Sequence, residues 1–583
     1  MKYSAIPTAQ SIIQHCQAKN ISNIVISPGS RNAPLTIAFA ENPFFNCYSI
    51  VDERCAAFFA LGMAQQLQVP VVVLCTSGSA LLNYYPAVAE AYFSNIPLVV
   101  ISADRPIYKL GIGDGQTINQ QNVFKNHIGY SANLKQDVSH ATEKVLHYKP
   151  EWIIDEHVRE VQQKVQSYND DELNHAFEIA INLNQPVHIN APFEEPLYNT
   201  LTENIITPRI DAIKVGEVTQ PNIEYHKNIW NIAVRKMILV GVSTPCTVKD
   251  YILEHLANDP SVLVLTETTS NIHHPNFFNS IDSLIAPIEM HDNKIEQFNQ
   301  LQPDVLVTFG GLIVSKKVKA FLRKYKPEHH WHIGGQQAND TFFCLEEHIK
   351  VSVNTFFDKM YADSIVLKSD YFEKWNQVKQ KFEQKRDLYL KEIPFSDFLA
   401  FSEILKSVPN EYMLQLANSS TIRYTQLFNF NTTLKVFCNR GTSGIDGSTS
   451  TAIGASIGNN SPTLFITGDL SFFYDSNALW NNYIKSNFRI IVINNNGGGI
   501  FRILPGKENS DVFETYFETR HTLTAEHLCS MYGLDYRKAK STQELQDELS
   551  YFFKESARPQ LLEITTPALK NDKILIDYFR FIS

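Results

Sequence analysis

Short runs of β-branched and other apolar residues recur along the chain, and each is followed by a loop of small or polar residues and then by a helical pattern. Such alternation is typical of parallel sheets covered by helices. The pattern therefore predicts an α/β fold of doubly wound parallel sheets. The predicted strands are 23–26, 71–75, 98–102, 237–242, 262–266, 305–309, 413–416, 436–438, 463–467, 490–493 and 561–564.

The pattern falls into three blocks, which two stretches of different composition separate. Residues 199–228 are mostly polar and indicate a linker, whereas the charged residues 368–391 predict a connecting helix. Each block has the size of an ordinary domain. We therefore predict three domains, at 1–198, 199–365 (with its leading linker) and 366–583. Ligands are expected at the loops that follow the strands.

The 583-residue chain has the composition of a globular protein, with 44% hydrophobic and 19% charged residues. It is longer than the roughly 250–300 residues at which a single hydrophobic core stops growing, which agrees with several domains. With 51 basic and 61 acidic side chains its net charge is −10, and such a field repels nucleic acids and anionic membrane surfaces. An anionic ligand therefore needs a local basic cluster.

Three features of the sequence favour a cytoplasmic location. It contains no run of about 18 or more uncharged apolar residues, so no membrane-spanning helix is predicted. Its first residues lack the apolar core and cleavage site of a secretory signal. The eight cysteines form no CxxC pair, so we expect buried, reduced thiols rather than a zinc site or a disulfide framework.

Two polar segments of the third block directly follow apolar runs. GDLS, which begins at Gly468, follows TLFIT, and NNNGG, which begins at Asn494, follows RIIVI. The interval fits one crossover connection, which needs about a dozen or more residues, so the two strand exits are predicted to be neighbours. The Asp469 carboxylate, the Asn495 amide oxygen and a backbone carbonyl could then hold Mg²⁺. Plain turns stay the alternative, because Gly-Asp and Asn-Gly are also ordinary turn residues.

These two segments resemble the thiamine diphosphate motif, a GDG followed one crossover later by NN, although Leu470 replaces the second glycine. GDLS with NNNGG resembles one branch of that superfamily, the 2-succinyl-5-enolpyruvyl-6-hydroxy-3-cyclohexene-1-carboxylate synthases of menaquinone biosynthesis. The segments SPGSR, VDER, TSG, ADRP, HINAPFEEPLY, NSSTIR, NRGTSGIDG, GDLS and NNNGGGIF look like those of the branch, in the same order, over essentially the whole chain. The resemblance implies a pyrimidine-binding, a central and a diphosphate-binding domain.

The resemblance implies thiamine diphosphate as cofactor, with Mg²⁺ or Mn²⁺, since both metals accept oxygen ligands. The implied metal ligands are Asp469, Asn495 and Gly497. The residues implied to bind the cofactor are Glu53, Thr76, Ser77, Gly78, Asn418, Ser419, Gly444, Ile445, Gly468, Asp469, Leu470, Ser471, Asn495, Gly497, Gly498, Ile500 and Phe501.

Glu53 is implied to be the catalytic acid. It lies in VDER, before the helical run CAAFFALGMA, where an acidic residue could equally serve only the helix dipole. Thiamine needs one carboxylate at N1′ of its aminopyrimidine, and the cofactor supplies the rest of the chemistry. The family pattern places this carboxylate and the diphosphate site on different subunits, so a homodimer or a dimer of dimers is expected. Ile445 could wedge between the two cofactor rings or simply pack in a core.

Basic residues recur at predicted strand exits in spite of the negative net charge: Arg31 follows SPGS and Arg440 follows VFCN. Guanidinium groups bind carboxylates in a bidentate way, and the implied substrates, 2-oxoglutarate and isochorismate, each carry two carboxylates. Lys317 stands where the family often has Arg, and Gly115 where it often has Asn. The residues implied to bind substrate are Ser30, Arg31, Arg105, Gln116, Lys316, Lys317, Ser419, Arg423, Arg440, Ile500 and Phe501.

The implied reaction is decarboxylation of 2-oxoglutarate and addition of the resulting succinyl carbanion equivalent to isochorismate. One alternative is another thiamine enzyme, such as an acetohydroxyacid synthase or a 2-oxoacid decarboxylase, which usually keeps the full GDG. A second is a binding protein that has lost turnover. A nicotinamide oxidoreductase is disfavoured, because no GxGxxG follows a first strand. The pairs His273-His274 and His329-His330 are predicted to lie in loops rather than to act as acid–base groups.

Overall fold

The computed structural model describes residues 2–153, 157–214, 222–335, 337–362, 365–503 and 510–583. The chain divides into two compact units, neither of which is one continuous stretch. The first unit takes Met1–Gly216, Gly441–Asn460 and Asp475–Lys485, and the second takes Glu217–Arg440, Ser461–Tyr474 and Ser486–Ser583.

The first unit contains eight described strands, most of which form one parallel sheet. Its strands are β1 (Tyr3–Ser4), β2 (Asn23–Ile26), β3 (Asn46–Ser49), β4 (Val71–Cys75), β5 (Leu98–Asp104), β6 (Tyr130–Asn133), β7 (Val187–Pro192) and β8 (Thr200–Leu201). Six of them form a sheet in the order β3-β2-β4-β5-β7-β6, and β1 pairs with β8 antiparallel. Every residue of β4 and β5 is buried, which explains why β4 and the first four residues of β5 are continuous apolar runs rather than alternating ones.

Helices cover this first sheet. They are α1 (Pro7–Ala18), α2 (Ala33–Ala40), α3 (Glu53–Leu67), α4 (Ser79–Asn83), α5 (Tyr85–Ser94), α6 (Thr142–Tyr148) and α7 (Val158–Leu183).

The second unit contains two parallel sheets. The strands of one are β9 (Lys236–Val240), β10 (Val262–Thr266), β11 (Val305–Phe309), β12 (His329–Ile333) and β13 (Glu347–Ile349), in the order β10-β9-β11-β12-β13. Those of the other are β14 (Met413–Leu416), β15 (Lys435–Cys438), β16 (Thr463–Gly468), β17 (Phe488–Asn494), β18 (Asp535–Ala539) and β19 (Gln560–Thr565), in the order β15-β14-β16-β17-β19-β18. Together with the first sheet, they confirm the predicted α/β class.

The helices that follow along the chain are α8 (Glu224–Trp230), α9 (Asp250–Asn258), α10 (Ile281–Met290), α11 (Lys294–Leu301), α12 (Lys316–Lys324), α13 (Val353–Tyr361), α14 (Tyr371–Glu392), α15 (Asp397–Ser407), α16 (Ser420–Thr425), α17 (Ser448–Ile457), α18 (Asp469–Tyr474), α19 (Asp511–Phe513), α20 (Glu526–Tyr532), α21 (Thr542–Phe552) and α22 (Asn571–Ile582). All but α17 belong to the second unit. In the described part of the chain, no helix combines the length and the apolar character that crossing a lipid bilayer requires.

Helix α17 packs against α3 within the first unit, and two glycines make the approach possible. A Cβ atom on Gly62 would lie 2.1 Å from the Thr451 carbonyl oxygen, and one on Gly454 would lie 2.0 Å from the Phe59 carbonyl oxygen. Both distances are far shorter than a van der Waals contact, so any other residue at these positions would push the helices apart. The helix that begins with Glu53 is thereby fixed against residues 448–457.

Most predicted strands are confirmed to within two residues, and 368–391 corresponds to α14. The prediction that His329 and His330 lie in a loop is wrong, because both belong to β12, where His330 is buried. His273 and His274 do lie in a loop. The predicted linker holds β8 and the start of α8, and its residues 215–221 lie outside the described residues. The three-domain division at 198 and 365 stays a prediction.

The eight cysteines are all free, as predicted, but they are not all buried. Cys16, Cys55, Cys75, Cys438 and Cys529 are buried, Cys47 and Cys344 are half-buried, and Cys246 is exposed. Burial raises the pKa of the Cys16 and Cys75 thiols well above the usual range, so they stay protonated and unreactive at neutral pH.

This difference predicts selective alkylation. In the native protein at neutral pH, we expect iodoacetamide to modify Cys246 first, Cys47 and Cys344 slowly, and the five buried thiols only after unfolding. Peptide mass spectrometry after short labelling times checks the order. Rapid labelling of Cys75 in the folded protein would contradict the described packing of β4.

Candidate functional site

The two polar segments that follow β16 and β17 lie side by side in the second unit. The strands are parallel neighbours, with Gly468 opposite Ile493, so the predicted adjacency of their exits is confirmed. Asp469 begins α18, and its carboxylate oxygen Oδ1 accepts a hydrogen bond from the Leu470 N–H at 2.7 Å. Its Oδ2 accepts one from the Gly497 N–H at 2.9 Å. Asp469 and Gly497, two of the three predicted metal ligands, are therefore in direct contact.

Asn495, the third predicted ligand, offers an oxygen that no protein group uses. Its Nδ2 donates a hydrogen bond to Asp397 at 2.9 Å. Its Oδ1 is buried and has no hydrogen-bond partner within the described ranges. Burying an amide oxygen without a partner costs about 1–3 kcal/mol, which a bound cation would offset. The carboxylate of Asp469 and this orphan oxygen are hard ligands of the kind that Mg²⁺ prefers, so the residues present fit a divalent metal.

The backbone at Gly468 borders open space. A Cβ atom placed on this glycine would meet no atom within 4 Å, so space is open at the end of β16. The positive φ of Gly497, +141°, and the 2.5 Å that would separate its Cβ from the Glu518 carbonyl oxygen both require glycine there. Ser471 is buried on α18, whereas Gly498, Ile500 and Phe501, which follow β17 in the sequence, are half-buried.

Two residues of this site were missed by sequence reasoning. The Asp397 carboxylate binds the Asn495 amide, and burial raises its pKa to about 6. His521 Nε2 lies 3.3 Å from Asp469 Oδ2, and its ring packs edge-on against Phe473. Neither residue follows the strand that carries its partner, so no local motif points to it.

The loops that follow β14 and β15 carry Asn418, Ser419, Arg423 and Arg440. Arg440 Nη1 donates to Asn418 Oδ1 at 2.6 Å, and Asn418 Nδ2 donates to the Asn439 carbonyl oxygen at 2.7 Å. The Asn418 side chain therefore holds the Arg440 guanidinium group in place. Ser419 has a positive φ of 68°, which turns the chain sharply before α16 and its Arg423.

Arg423 and Arg440 lie near two carboxylates that the sequence did not single out, the buried Glu267 and the half-buried Asp282. Arg423 interacts electrostatically with Asp282, Arg440 and Glu267, and burial lowers its pKa. Glu267 accepts hydrogen bonds from the Val314 and Ser315 N–H groups at 2.7 Å each, and burial raises its pKa to about 7.

A third cation of this cluster is Lys319. It is half-buried on α12, where it interacts with Glu267, Arg423 and Arg440, and burial lowers its pKa. By contrast, the predicted Lys316 is exposed, and the ammonium group of Lys317 lies 2.5 Å from Glu289 Oε2. The structure therefore brings Lys319, rather than Lys317, to the two arginines.

In the first unit, Glu53 is the first residue of α3. Asp52 caps this helix, because its Oδ1 accepts a hydrogen bond from the Cys55 N–H at 3.2 Å. The Glu53 carboxylate is half-buried near Cys75 and Tyr84, whose pKa values it helps to raise. It makes no hydrogen bond or ion pair with any residue that the structure describes. Its oxygens are thus available to a ligand.

The predicted cofactor segment at 76–78 contacts the predicted substrate residue Gln116. Gln116 Nε2 donates to the Ser77 carbonyl oxygen, and Ser77 Oγ donates to the Gln116 carbonyl oxygen, both at 3.1 Å. Gly78, with a φ of +87°, donates its N–H to Gln120 at 2.8 Å. Thr76 packs so closely against Gly29 that a Cβ atom placed on Gly29 would lie 2.3 Å from the Cβ atom of Thr76. These contacts bring the segments after β2, β4 and β5 together.

The other predicted substrate residues of this unit differ in their surroundings. Ser30 is exposed, whereas Arg31 is 2% exposed and donates to the Phe193 carbonyl oxygen and to Glu195. Arg105 lines a cavity of about 580 Å³ under the loop that follows β5. Ile445, next to Gly444, has an exposed fraction of 38%, so core packing does not account for it.

Comparisons with known proteins agree with this arrangement. The N-terminal thiamine pyrophosphate-binding domain of thiamine pyrophosphate enzymes matches residues 6–130, and the C-terminal thiamine pyrophosphate-binding domain matches residues 418–564. The chain is 55% identical to the 2-succinyl-5-enolpyruvyl-6-hydroxy-3-cyclohexene-1-carboxylate synthase of Christiangramia forsetii, over 100% of both chains. It is 53% identical to that of Flavobacterium johnsoniae, over 100% of both chains, and 36% identical to that of Porphyromonas gingivalis, over 97% of this chain and 96% of the relative.

These two matched domains account for the strand exits that carry Glu53 and Asp469, and the matched relatives share the full length of the chain. The chain therefore belongs to the 2-succinyl-5-enolpyruvyl-6-hydroxy-3-cyclohexene-1-carboxylate synthase family of thiamine diphosphate enzymes.

Proposed function

We propose that the protein decarboxylates 2-oxoglutarate with thiamine diphosphate and adds the resulting succinyl unit to isochorismate, which yields 2-succinyl-5-enolpyruvyl-6-hydroxy-3-cyclohexene-1-carboxylate and CO₂. The names of its relatives support this reaction. The single observation that carries the proposal is the pair of neighbouring strand exits, with Asp469 bonded to Gly497 and the Asn495 oxygen left without a partner among the described residues.

In this proposal, Asp469, Asn495 and the Gly497 carbonyl group hold Mg²⁺, or equally Mn²⁺, which neutralises the diphosphate. Gly468 leaves room for the phosphate oxygens. The remaining predicted residues at 418–419, 470–471 and 497–501 line the same strand exits. When bound, thiamine diphosphate supplies the carbon nucleophile and the electron sink for decarboxylation.

Glu53 exchanges a proton with N1′ of the aminopyrimidine in the proposed site. Its carboxylate is half-buried and unpaired among the described side chains, which leaves it free to hydrogen-bond a ring nitrogen. Proton transfer by such a positioned carboxylate contributes about 10²–10⁴-fold to rate. Ser77 and Gly78, fixed by Gln116 and Gln120, line the same strand edge. Ile445 is exposed enough to contact the cofactor as the predicted wedge.

The substrate carboxylates are assigned to the cationic residues. Arg423 and Arg440, joined by Lys319, form a cluster whose charge Glu267 and Asp282 offset only in part. A dicarboxylate therefore finds excess positive charge there. Ser30, Arg31, Arg105, Gln116, Lys316 and Lys317 stay proposed contacts. We further propose that the working unit is at least a homodimer, with Glu53 and the diphosphate site contributed by different protomers.

The proposal predicts a strict substrate requirement. With thiamine diphosphate, Mg²⁺, 2-oxoglutarate and isochorismate, we expect the isochorismate absorbance to fall and CO₂ to be released. Omission of 2-oxoglutarate, or its replacement by pyruvate, should stop both signals, because pyruvate lacks the second carboxylate that the basic cluster would bind.

The same assay separates the alternatives. Release of CO₂ from pyruvate at a rate equal to that from 2-oxoglutarate would indicate a different thiamine enzyme. Binding of thiamine diphosphate with no turnover of either acid would indicate a binding protein.

A further inference from the structure

Asp397 contacts the proposed metal ligand Asn495, and each of its two carboxylate oxygens accepts a hydrogen bond. Its Oδ2 accepts a hydrogen bond from Asn495 Nδ2 at 2.9 Å, and its Oδ1 accepts one from the Thr566 hydroxyl group. The residue is only 2% exposed. No cationic side chain among the described residues pairs with it. A buried carboxylate without such a partner is costly, so its presence at this point calls for an explanation.

The backbone fixes where this carboxylate lies. Asp397 is the first residue of α15, and its N–H donates to Asn571 Oδ1 at 2.9 Å. Ser396 caps the helix by accepting a hydrogen bond from the Leu399 N–H. The positive end of the helix dipole favours an anion at this position. Asp397 is therefore a rigid hydrogen-bond acceptor.

An asparagine amide has two ends of opposite character, a carbonyl oxygen that accepts and an NH₂ group that donates. Only the oxygen can bind a cation. Because both carboxylate oxygens of Asp397 accept hydrogen bonds, Asp397 binds the NH₂ end of Asn495 and turns the amide oxygen the opposite way. In agreement, Asn495 Oδ1 is the end left without a partner among the described residues.

We propose that Asp397 is a positioning residue that selects the metal-binding orientation of the Asn495 amide. This inference rests on the proposed function, since it presupposes the divalent metal site. Asp397 touches neither the metal nor the substrate in this arrangement and acts through Asn495 alone.

Removal of the acceptor tests this role. We expect Asp397→Leu to weaken binding of Mn²⁺, measured by electron paramagnetic resonance with thiamine diphosphate present, about 10–100-fold, as is usual when a residue that orients a metal ligand is lost. Asp397→Asn should bind Mn²⁺ nearly as well as the wild type, because its amide oxygen can accept from Asn495 while its NH₂ group donates to the Thr566 hydroxyl.

A double-mutant cycle separates orientation from a merely structural effect. In an Asn495→Asp background both ends of residue 495 are oxygens, so orientation no longer matters and Asp397→Leu should not weaken Mn²⁺ binding further. Thr566→Val removes the other hydrogen bond to Asp397. It should lower the melting temperature of the metal-free protein and leave the Mn²⁺ affinity unchanged.

The outcomes distinguish this inference from the proposed function. Equal Mn²⁺ affinity of Asp397→Leu and the wild type would refute the positioning role, and so would an Asp397→Asn variant as weak as Asp397→Leu, because charge rather than orientation would then matter. If the wild type itself binds neither Mn²⁺ nor thiamine diphosphate, the proposed function fails and this inference with it.

Discussion

Asp469→Ala should abolish metal-dependent binding of thiamine diphosphate. The Asp469 carboxylate accepts hydrogen bonds from the Leu470 and Gly497 N–H groups, so its position at the end of β16 is fixed before any ligand binds. Its removal takes away the proposed anionic metal ligand. We expect the affinity for thiamine diphosphate in the presence of Mg²⁺ to fall at least about 100-fold, since loss of one buried charged partner costs ~3 kcal/mol or more. Titration calorimetry with and without Mg²⁺ measures the change.

Asp535→Ala is the matched control for this experiment. Asp535 begins β18, in the same sheet as β16, but lies at the amino end of its strand, opposite the proposed site. Among the described residues, its carboxylate accepts one long hydrogen bond, from Ser556 at 3.4 Å, and interacts electrostatically with Arg489. This variant should bind the cofactor as the wild type does. Unchanged Mg²⁺-dependent binding in Asp469→Ala would refute the assignment of Asp469 as a metal ligand.

Glu53→Gln should retain the cofactor and lose turnover. Glutamine has nearly the same size as glutamate but cannot exchange a proton with the ring nitrogen. Because the Glu53 carboxylate makes no hydrogen bond or ion pair with the described part of the chain, its neutralisation breaks no protein contact there. We expect kcat to fall at least about 100-fold, within the range for loss of a proton-transferring group, while cofactor affinity changes little. Steady-state assays and calorimetry on the same preparation measure both.

The neighbouring Asp52 provides the control for Glu53. Asp52→Asn removes one negative charge one residue away and keeps a good N-cap, because Asn and Asp cap helices about equally well. This variant should keep both stability and turnover. Full activity in Glu53→Gln, or a similar loss of activity in Asp52→Asn, would remove Glu53 from its proposed role.

The parts of the site that the sequence predicted are those that follow a strand. An apolar run predicts where a strand ends, and parallel strands bring their ends to one edge. The amino-acid sequence alone was therefore enough to predict that the strand exits carrying Asp469 and Asn495 are neighbours. The same logic located Glu53 at the start of a helix. Each of these positions depends on local pattern and on one simple rule of topology.

Asp397, Glu267 and Lys319 could not be predicted in this way. Asp397 reaches Asn495 from a helix start that lies far away in the sequence, and Glu267 meets Arg440 from another sheet of the same unit. Lys319 and Lys317 lie two residues apart on α12 and therefore point to different sides of the helix. Lys319 faces the arginines, whereas Lys317 lies beside Glu289. The prediction that His329 and His330 lie in a loop failed for a related reason. Histidine is a poor signal for a strand, but pairing of β12 with β11 places both residues in the sheet, where His330 Nε2 lies 3.0 Å from the Thr308 hydroxyl group.

The close packing of α3 against α17, which Gly62 and Gly454 allow, has a consequence for biosynthesis. The first unit takes its last segment from Asp475–Lys485, so it cannot be completed until most of the polypeptide has left the ribosome. At roughly 5–20 residues per second, the nascent α3 waits some tens of seconds, about 20–80, for its partner helix. During that interval the surface of α3 around Gly62, which packs against α17 in the folded protein, is exposed. In a translation product truncated after Gly216, which lacks α17, this surface would stay exposed.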